Sequence, residues 1–106
     1  MVYIGIGSNL GNKIKNIEKA KYLLTLNNIN IIKSSSYFET LSWPDKKKPK
    51  FFNIVLQSDT KFSPEKLLHI FKLIEKKLGR KKKSKNSPRE CDIDIISYGN
   101  KILKGA

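Results

Sequence analysis

"PRECDIDIISY", residues 88–98, has the two-residue period of a β-strand and supplies the last strand of the predicted fold. Ile93 and Ile95 lie at alternate positions, so their side chains point to the same apolar face. The opposite face carries Asp92 and Asp94, which start roughly 7 Å apart at the ~3.3 Å rise per residue of a strand. If the two carboxylates approach to ~5 Å at an effective dielectric of ~20, they repel each other by roughly 3 kcal/mol. A cation or a basic side chain has to offset this repulsion.

Upstream of this strand, the apolar periodicity predicts three more strands and two amphipathic helices. Asn12 and Ser63 are the predicted N-caps of the helices, and Pro64 occupies the first position of the second helix. In chain order the predicted elements are a strand over 2–8, a helix from Asn12 to about Leu26, strands over 29–40 and 51–59, and a helix from Ser63 to Gly79. The apolar positions of the two helices are Ile14, Ile17, Ala20, Leu23 and Leu24, then Leu67, Phe71, Ile74 and Leu78.

The order βαββαβ predicts an α+β fold of the ferredoxin-like type, in which two helices cover one face of a four-stranded antiparallel sheet. The 106 residues suffice for one core of two packed layers, so residues 1–106 are predicted to form a single domain. The same fold supports RNA-binding modules, metallochaperones and enzymes. Function must therefore be inferred from the site residues.

The chain is strongly basic, because 22 lysines and arginines outnumber 9 acidic residues and give a net charge of +13. Such a charge is typical of proteins with polyanionic partners. A base-composition bias toward Lys, Ile and Asn produces the same excess, so much of the charge is expected on solvated surface. No apolar segment approaches the ~20 residues that span a bilayer, and no signal-peptide pattern opens the chain, so we expect a cytoplasmic monomer without membrane association. The single cysteine, Cys91, is predicted to be buried.

The two arginines of the chain, Arg80 and Arg89, stand at the ends of the basic segment "RKKKSKNSPR", directly before the acidic strand. Arginine makes planar, two-pronged contacts to phosphate or carboxylate. Carboxylate oxygens bind Mg²⁺ and basic residues neutralise phosphate, so the arrangement indicates a magnesium–nucleotide site in which Asp92 and Asp94 bridge two ions. The spacing alone equally allows both aspartates to form ion pairs on a solvent-facing edge.

The segment "KNSPRECDIDII" (85–96) resembles the signature of the 6-hydroxymethyl-7,8-dihydropterin pyrophosphokinase family. That signature is a basic residue, any residue, Gly or Ala, Pro, Arg, two free positions and then Asp-apolar-Asp-apolar-apolar. Ser87 departs from its Gly or Ala, and Asn86 departs from a frequent Trp. Further segments resemble family motifs in the same order along the chain: "YIGIGSNLG" (3–11), "SSSYFET" (34–40), "FFN" (51–53) and "IEKKLGR" (74–80).

The resemblance implies an enzyme of folate biosynthesis that transfers diphosphate from ATP to the hydroxymethyl oxygen of the pterin and releases AMP. It implies that Asp92 and Asp94 hold two Mg²⁺ ions. By the same resemblance, Arg80 and Arg89 bind phosphate and stabilise charge during transfer, and Lys82 lies near a family arginine position that contacts the nucleotide. The other implied nucleotide contacts are Leu68, Glu75 and Ile95.

The implied pterin contacts lie in the middle of the chain. Asn53 resembles the residue that reads the polar edge of the pterin, Phe51 an aromatic that stacks on the ring, and Thr40 a backbone contact. Because adjacent strand residues face opposite ways, at least one of Phe51 and Phe52 is expected in the core. Trp43 either covers the pterin pocket or anchors its own loop, and the sequence does not distinguish the two.

Two alternatives remain open at this stage. An RNA-binding module of the RRM type shares the βαββαβ order and a basic surface, but Asp92 and Asp94 would repel RNA phosphates, so nucleic acid is disfavoured. A nucleotide-binding remnant without turnover is the other alternative. Family members continue past the position of Ala106 into a segment with further substrate contacts. We therefore expect weak ATP–Mg²⁺ binding and slow or undetectable turnover from residues 1–106.

Overall fold

The computed structural model of the protein describes residues 1–42, 46–79 and 89–99, together with the backbone of 101–102. The elements are β1 (Val2–Ser8), α1 (Lys13–Leu26), β2 (Asn30–Ser34), β3 (Phe38–Thr40), β4 (Phe51–Asp59), α2 (Pro64–Lys77), β5 (Asp92–Tyr98) and β6 (Lys101–Ile102). The strands form one antiparallel sheet in the order β2-β4-β1-β5-β6, and β3 also pairs with β4. The protein therefore has an α+β fold.

The element bounds follow from local sequence signals. β1 and β4 have the predicted bounds, and both predicted N-caps are confirmed. The side chain of Asn12 accepts a hydrogen bond from the Lys15 N–H (3.1 Å), and that of Ser63 from the Lys66 N–H (3.2 Å). Beyond α2, Gly79 has a φ of +100°, a left-handed conformation that glycine adopts at low cost and that ends the helix as predicted.

The prediction of one strand over 29–40 is wrong, since the chain forms β2 and β3 with an interruption between them. Ser34 pairs with Leu56 and Phe38 with Asn53, so four residue steps on one side face three on β4. At the interruption the Ser35 hydroxyl accepts the Val55 N–H (2.8 Å), so a side chain replaces the backbone acceptor. With β6 at the other edge, the described residues form six strand segments, and not the four that were predicted.

Tyr37 attaches the interruption between β2 and β3 to the first helix. Its hydroxyl donates a hydrogen bond to the carboxylate of Glu18 on α1, and the Lys21 ammonium lies 3.4 Å from the same carboxylate. The hydrogen bond from Tyr37 is the main cause that lowers the pKa of Glu18. Burial, and then the Glu18 carboxylate, raise the pKa of Tyr37 to about 12.

The core lies between the two helices and one face of the sheet. Cys91 belongs to it, as predicted. Ile14, one of the predicted apolar positions of α1, does not belong to the core and is 46% exposed. It lies in the first turn of the helix, where the neighbouring Lys13 ammonium donates to the Lys50 carbonyl (2.9 Å). None of the helices in the described part of the chain is long and apolar enough to cross a membrane. The buried hydrophobic residues of the elements are Val2, Ile4, Ile6, Ile17, Ala20, Leu24, Ile54, Leu56, Leu67, Ile70, Phe71, Ile74, Ile93 and Ile95.

Candidate active site

The open face of the sheet, opposite the helices, carries a row of predicted site residues. On β1, Gly5 and Gly7 alternate with the buried isoleucines and therefore belong to this face. Gly7 pairs with Asn53 of β4 and with Asp92 of β5, while Gly5 pairs with Asp94. Directly paired residues of antiparallel strands share a face, so Asn53 and Asp92 flank Gly7. Their backbones are separated by two strand spacings, about 10 Å.

The missing side chain of Gly7 is what lets the predicted pterin contacts approach the middle of this row. A Cβ atom at Gly7 would lie 2.8 Å from Oδ1 of Asn53 and 3.3 Å from Cδ1 of Phe51. The first distance is shorter than real Cβ contacts, so a side chain at position 7 would displace the Asn53 amide. The groups that use the space left by this glycine are Asn53 and Phe51.

Three hydrogen bonds fix the Asn53 amide. Its Nδ2 donates to Oγ1 of Thr40 (3.0 Å) and to the carbonyls of Phe38 and Phe51 (3.3 Å each). Thr40 also pairs with Phe51 in the register of β3 and β4. The three predicted pterin residues Thr40, Phe51 and Asn53 are thus brought together. Phe52 packs against the helix-side core, which confirms that at least one of the two phenylalanines belongs there.

The acidic strand has the predicted two faces. Ile93 and Ile95 are buried, whereas Asp92 and Asp94 are half-buried on the open side. Nη1 of Arg89 lies 3.6 Å from Oδ1 of Asp92, and the two side chains are 21% and 29% exposed. Arg89 and both aspartates therefore cluster at the end of the open row.

The donor set at this cluster fits a magnesium ion that is shared with a phosphate ligand. Within residues 1–42, 46–79 and 89–99 there is no group of three or more His, Cys, Asp or Glu side chains that could hold a metal ion. Mg²⁺ is commonly bound by one or two carboxylates, with its remaining ligands supplied by phosphate oxygens and water. Asp92 and Asp94 match that donor set and do not form an all-protein metal site.

Asn9, directly after β1, makes hydrogen bonds to two other segments of the chain, and the sequence analysis did not predict this role. Its Oδ1 accepts the Arg89 N–H (2.8 Å) and its own N–H donates to the Arg89 carbonyl (3.1 Å). Its Nδ2 donates to Oγ of Ser42 (3.1 Å) and to the Pro49 carbonyl (3.2 Å). Asn9 is 2% exposed. In the sequence Asn9 is only a polar residue after an apolar strand, and its burial and its partners become visible only in the fold.

The predicted nucleotide contacts on the helix side have structural partners of their own. Glu75 is 8% exposed, and its Oε2 accepts the N–H of Ile93 (2.7 Å), between the two aspartates. Leu68 is half-buried against the core. The Ile95 side chain is buried in the core, so a nucleotide contact at that position falls to its backbone. All three roles stay predictions.

Three further predicted site residues, Trp43, Arg80 and Lys82, lie outside the described residues, as does most of the basic segment between the two arginines. Their predicted roles stay predictions. Within the described residues, the predicted site residues of the open face therefore lie in two groups, the predicted pterin contacts on β3 and β4 and the acidic pair at the start of β5.

Comparison with known families gives a match over nearly the whole chain. Residues 3–104 match the family model described as 7,8-dihydro-6-hydroxymethylpterin-pyrophosphokinase. The chain is 39% identical over 103 residues to the 2-amino-4-hydroxy-6-hydroxymethyldihydropteridine pyrophosphokinase of Aquifex aeolicus, which covers 97% of this chain and 64% of that protein.

Two longer relatives match the same region. The folic acid synthesis protein fol1 of Pneumocystis carinii is 43% identical over 102 residues, covering 96% of this chain and 14% of that protein. The mitochondrial folate synthesis bifunctional protein of Pisum sativum is 37% identical over 98 residues, covering 92% of this chain and 19% of that protein. The chain thus spans less than two thirds of the length of these relatives.

Proposed function

This chain belongs to the 7,8-dihydro-6-hydroxymethylpterin-pyrophosphokinase family, and from that premise we propose that it transfers a diphosphate group from ATP to 6-hydroxymethyl-7,8-dihydropterin. The hydroxymethyl oxygen forms a bond to the β-phosphorus of ATP and gives up its proton. The bond between the β-phosphorus and the oxygen that bridges to the α-phosphate breaks, and AMP leaves with that oxygen. The family match does not favour an RNA-binding module.

The single observation that carries the proposal is the open-face row in which Asn53 and Asp92 flank Gly7. A flat ring requires an aromatic surface and a fixed polar group, and Phe51 and the held amide of Asn53 offer both. Thr40 supports that amide from β3. The acidic group on the other side of the row is where the phosphates are proposed to lie.

Asp92 and Asp94 are the proposed Mg²⁺ ligands, and the family resemblance suggests two ions. When bound, Mg²⁺ supplies positive charge that neutralises the polyphosphate. Arg89, whose guanidinium contacts Asp92 (3.6 Å), is proposed to hold phosphate and to stabilise charge that develops during transfer. Arg80 and Lys82 are proposed to act from outside the described residues.

The remaining proposals concern the nucleotide and the architecture. Leu68, Glu75 and the backbone of Ile95 are proposed nucleotide contacts. The order of the longer strands, β2-β4-β1-β5 with both helices packed on one core, supports a ferredoxin-like description and a single domain over 1–106. We also propose a cytoplasmic, monomeric protein.

Isothermal calorimetry with a non-hydrolysable ATP analogue, with and without Mg²⁺, tests the acidic side. We expect binding that requires Mg²⁺ and that falls at least about tenfold in Asp92→Asn and in Asp94→Asn, since each change removes a charged oxygen ligand. Asp59→Asn is the matched control, because Asp59 is an exposed strand aspartate at the far end of β4. Equal losses in all three variants would contradict the metal assignment.

Production of AMP from ATP in the presence of the pterin tests the reaction itself. Both aspartate variants should lower the rate at least about a hundredfold if the carboxylates position the polyphosphate. Wild-type rates in either variant would refute their role. ATP binding without any AMP production by the wild-type chain would support the remnant without turnover.

A further inference from the structure

Asn9 is placed between the two sides of the proposed site. It follows β1 at the end where Gly7 lies, and it is buried. Its main-chain N–H and its side chain together make four hydrogen bonds. Two go to the backbone of Arg89, and two go to Ser42 and Pro49 in the segment between β3 and β4. One side chain therefore joins three segments that are distant in sequence.

The two ends of this network correspond to the two proposed substrates. The segment that holds Ser42 and Pro49 connects Thr40 to Phe51, which are proposed pterin contacts. The Ser42 hydroxyl donates to the Pro49 carbonyl (2.5 Å), so the Asn9 amide and this hydroxyl share one acceptor. The opposite end is the Arg89 backbone, whose side chain is the proposed phosphate contact.

We propose that Asn9 is a positioning residue. It holds the segment between β3 and β4, here called the pterin-side segment, at a fixed distance from Arg89, so that the pterin and the ATP phosphates are bound at fixed positions relative to each other. The proposal rests on the proposed function. The chemistry of the amide is suited to the task, because its oxygen serves the Arg89 N–H while its NH₂ group serves the pterin-side segment. Neither a carboxylate nor a hydroxyl supplies both an acceptor and two donors.

Asn9→Asp tests the Arg89 end of the network separately from the end at Ser42 and Pro49. The carboxylate keeps an acceptor for the Arg89 N–H but cannot donate to Ser42 or Pro49, and it places negative charge beside the Pro49 carbonyl. Asn9→Ala removes both halves of the side-chain network. Asn16→Asp is the matched control, since the Asn16 amide is also part-buried and donates to the Leu10 carbonyl (3.0 Å), with no bond to either end of the Asn9 network among its contacts.

Amide NMR on the full chain reports on the hydrogen bonds at each end of the network and does not depend on turnover. The Lys50 N–H belongs to the same peptide group as the Pro49 carbonyl, so its nitrogen shift reports the bond from Asn9. We expect Asn9→Asp to move the Lys50 signal while the Arg89 N–H stays protected from exchange. Asn9→Ala should move the Lys50 signal and also speed exchange at Arg89. Unchanged Lys50 and Arg89 signals in Asn9→Ala would overturn the proposal.

Steady-state kinetics distinguishes positioning from a purely structural role. The loss of two hydrogen bonds on the pterin side should raise the KM for the pterin in Asn9→Asp about tenfold or more, with less than about a threefold change in the KM for ATP. Asn16→Asp should leave the ratio of the two KM values unchanged. Equal KM ratios in both variants would overturn the proposal even where the NMR signals move. A wild-type chain without turnover would instead count against the proposed function, and the NMR result would then decide the linkage alone.

Discussion

Replacement of Gly7 by alanine tests the packing of the pterin side. The added Cβ would lie 2.8 Å from Oδ1 of Asn53, so the amide has to move. The same Cβ would lie 3.3 Å from Cδ1 of Phe51, so that ring also has to give by a few tenths of an ångström. Movement of the amide weakens its hydrogen bonds to Thr40 and to the Phe38 carbonyl, at a cost of about 1–3 kcal/mol.

The loss of glycine's backbone freedom acts in the opposite direction, because alanine at this position favours the folded strand. A second glycine on the same strand provides a control for this contribution. Glycine within a strand is about 0.5–1 kcal/mol less favourable than alanine, so the net loss of unfolding free energy in Gly7→Ala should lie between about 0 and 2.5 kcal/mol. Gly5→Ala is the matched control on the same strand and face. Among the described residues, its Cβ would meet only the side chain of Ile96, at 3.2 Å, and Ile96 is 41% exposed and able to shift. We therefore expect Gly5→Ala to be neutral or slightly stabilising.

Urea unfolding and pterin calorimetry measure the two consequences separately. Gly7→Ala should unfold at lower urea and bind the pterin at least about tenfold more weakly, because the displaced Asn53 amide is the proposed polar contact. Gly5→Ala should retain wild-type pterin affinity. If Gly7→Ala is as stable as Gly5→Ala, the crowding above Gly7 is absent and the described site geometry is wrong. If Gly7→Ala is destabilised but binds the pterin normally, Asn53 is not a pterin contact.

Three other substitutions test the roles of Arg89, Glu75 and Tyr37. Arg89→Lys keeps the charge but loses the planar contact, so AMP production should fall at least about tenfold, whereas Lys47→Ala should have little effect. Glu75→Leu leaves a buried N–H of β5 without its acceptor and should cost about 1–3 kcal/mol of unfolding free energy, more than Glu75→Gln, which keeps an acceptor oxygen. Tyr37→Phe removes the hydrogen bond to Glu18 and should cost about 0.5–1 kcal/mol at neutral pH by urea unfolding. Because folding raises the Tyr37 pKa from 10.0 to about 12, this contribution is complete below pH 10.0 and is lost as the pH rises through about 12, so the stability advantage of wild type over Tyr37→Phe should shrink above pH 10.0.

Local sequence signals predicted the elements well where one segment decides its own structure. Asn12 and Ser63 cap their helices through hydrogen bonds to residues three positions away, and the alternation of Ile93 and Ile95 placed the acidic side chains on the open face. The break at Ser35 could not be predicted, because its hydroxyl bonds Val55 on another strand.

The hydrogen-bond network around Asn9 shows the same limit more strongly. Its partners Ser42, Pro49 and Arg89 lie 33, 40 and 80 positions along the chain. No period or spacing in one sequence encodes contacts at those separations, because they arise only when the sheet brings the strand ends together. A buried asparagine at a strand end, with four hydrogen-bonding groups to satisfy, becomes informative only once the fold is known.

The open face also explains why a net charge of +13 does not favour a nucleic-acid platform here. Single-stranded RNA is bound by sheets that offer aromatic rings for stacking and cations for phosphate. The middle strand of this sheet carries an aromatic ring on the open face only at its start, at Tyr3, and continues with Gly5 and Gly7, while its neighbour β5 places Asp92 and Asp94 directly beside the two glycines. The exposed backbone of the two glycines, between the Asn53 amide and the two carboxylates, leaves space for one small planar molecule. Because the two carboxylates repel phosphate, a cation has to bind them before phosphate can approach. The same residues that disfavour RNA therefore favour a pterin beside a metal-bound polyphosphate.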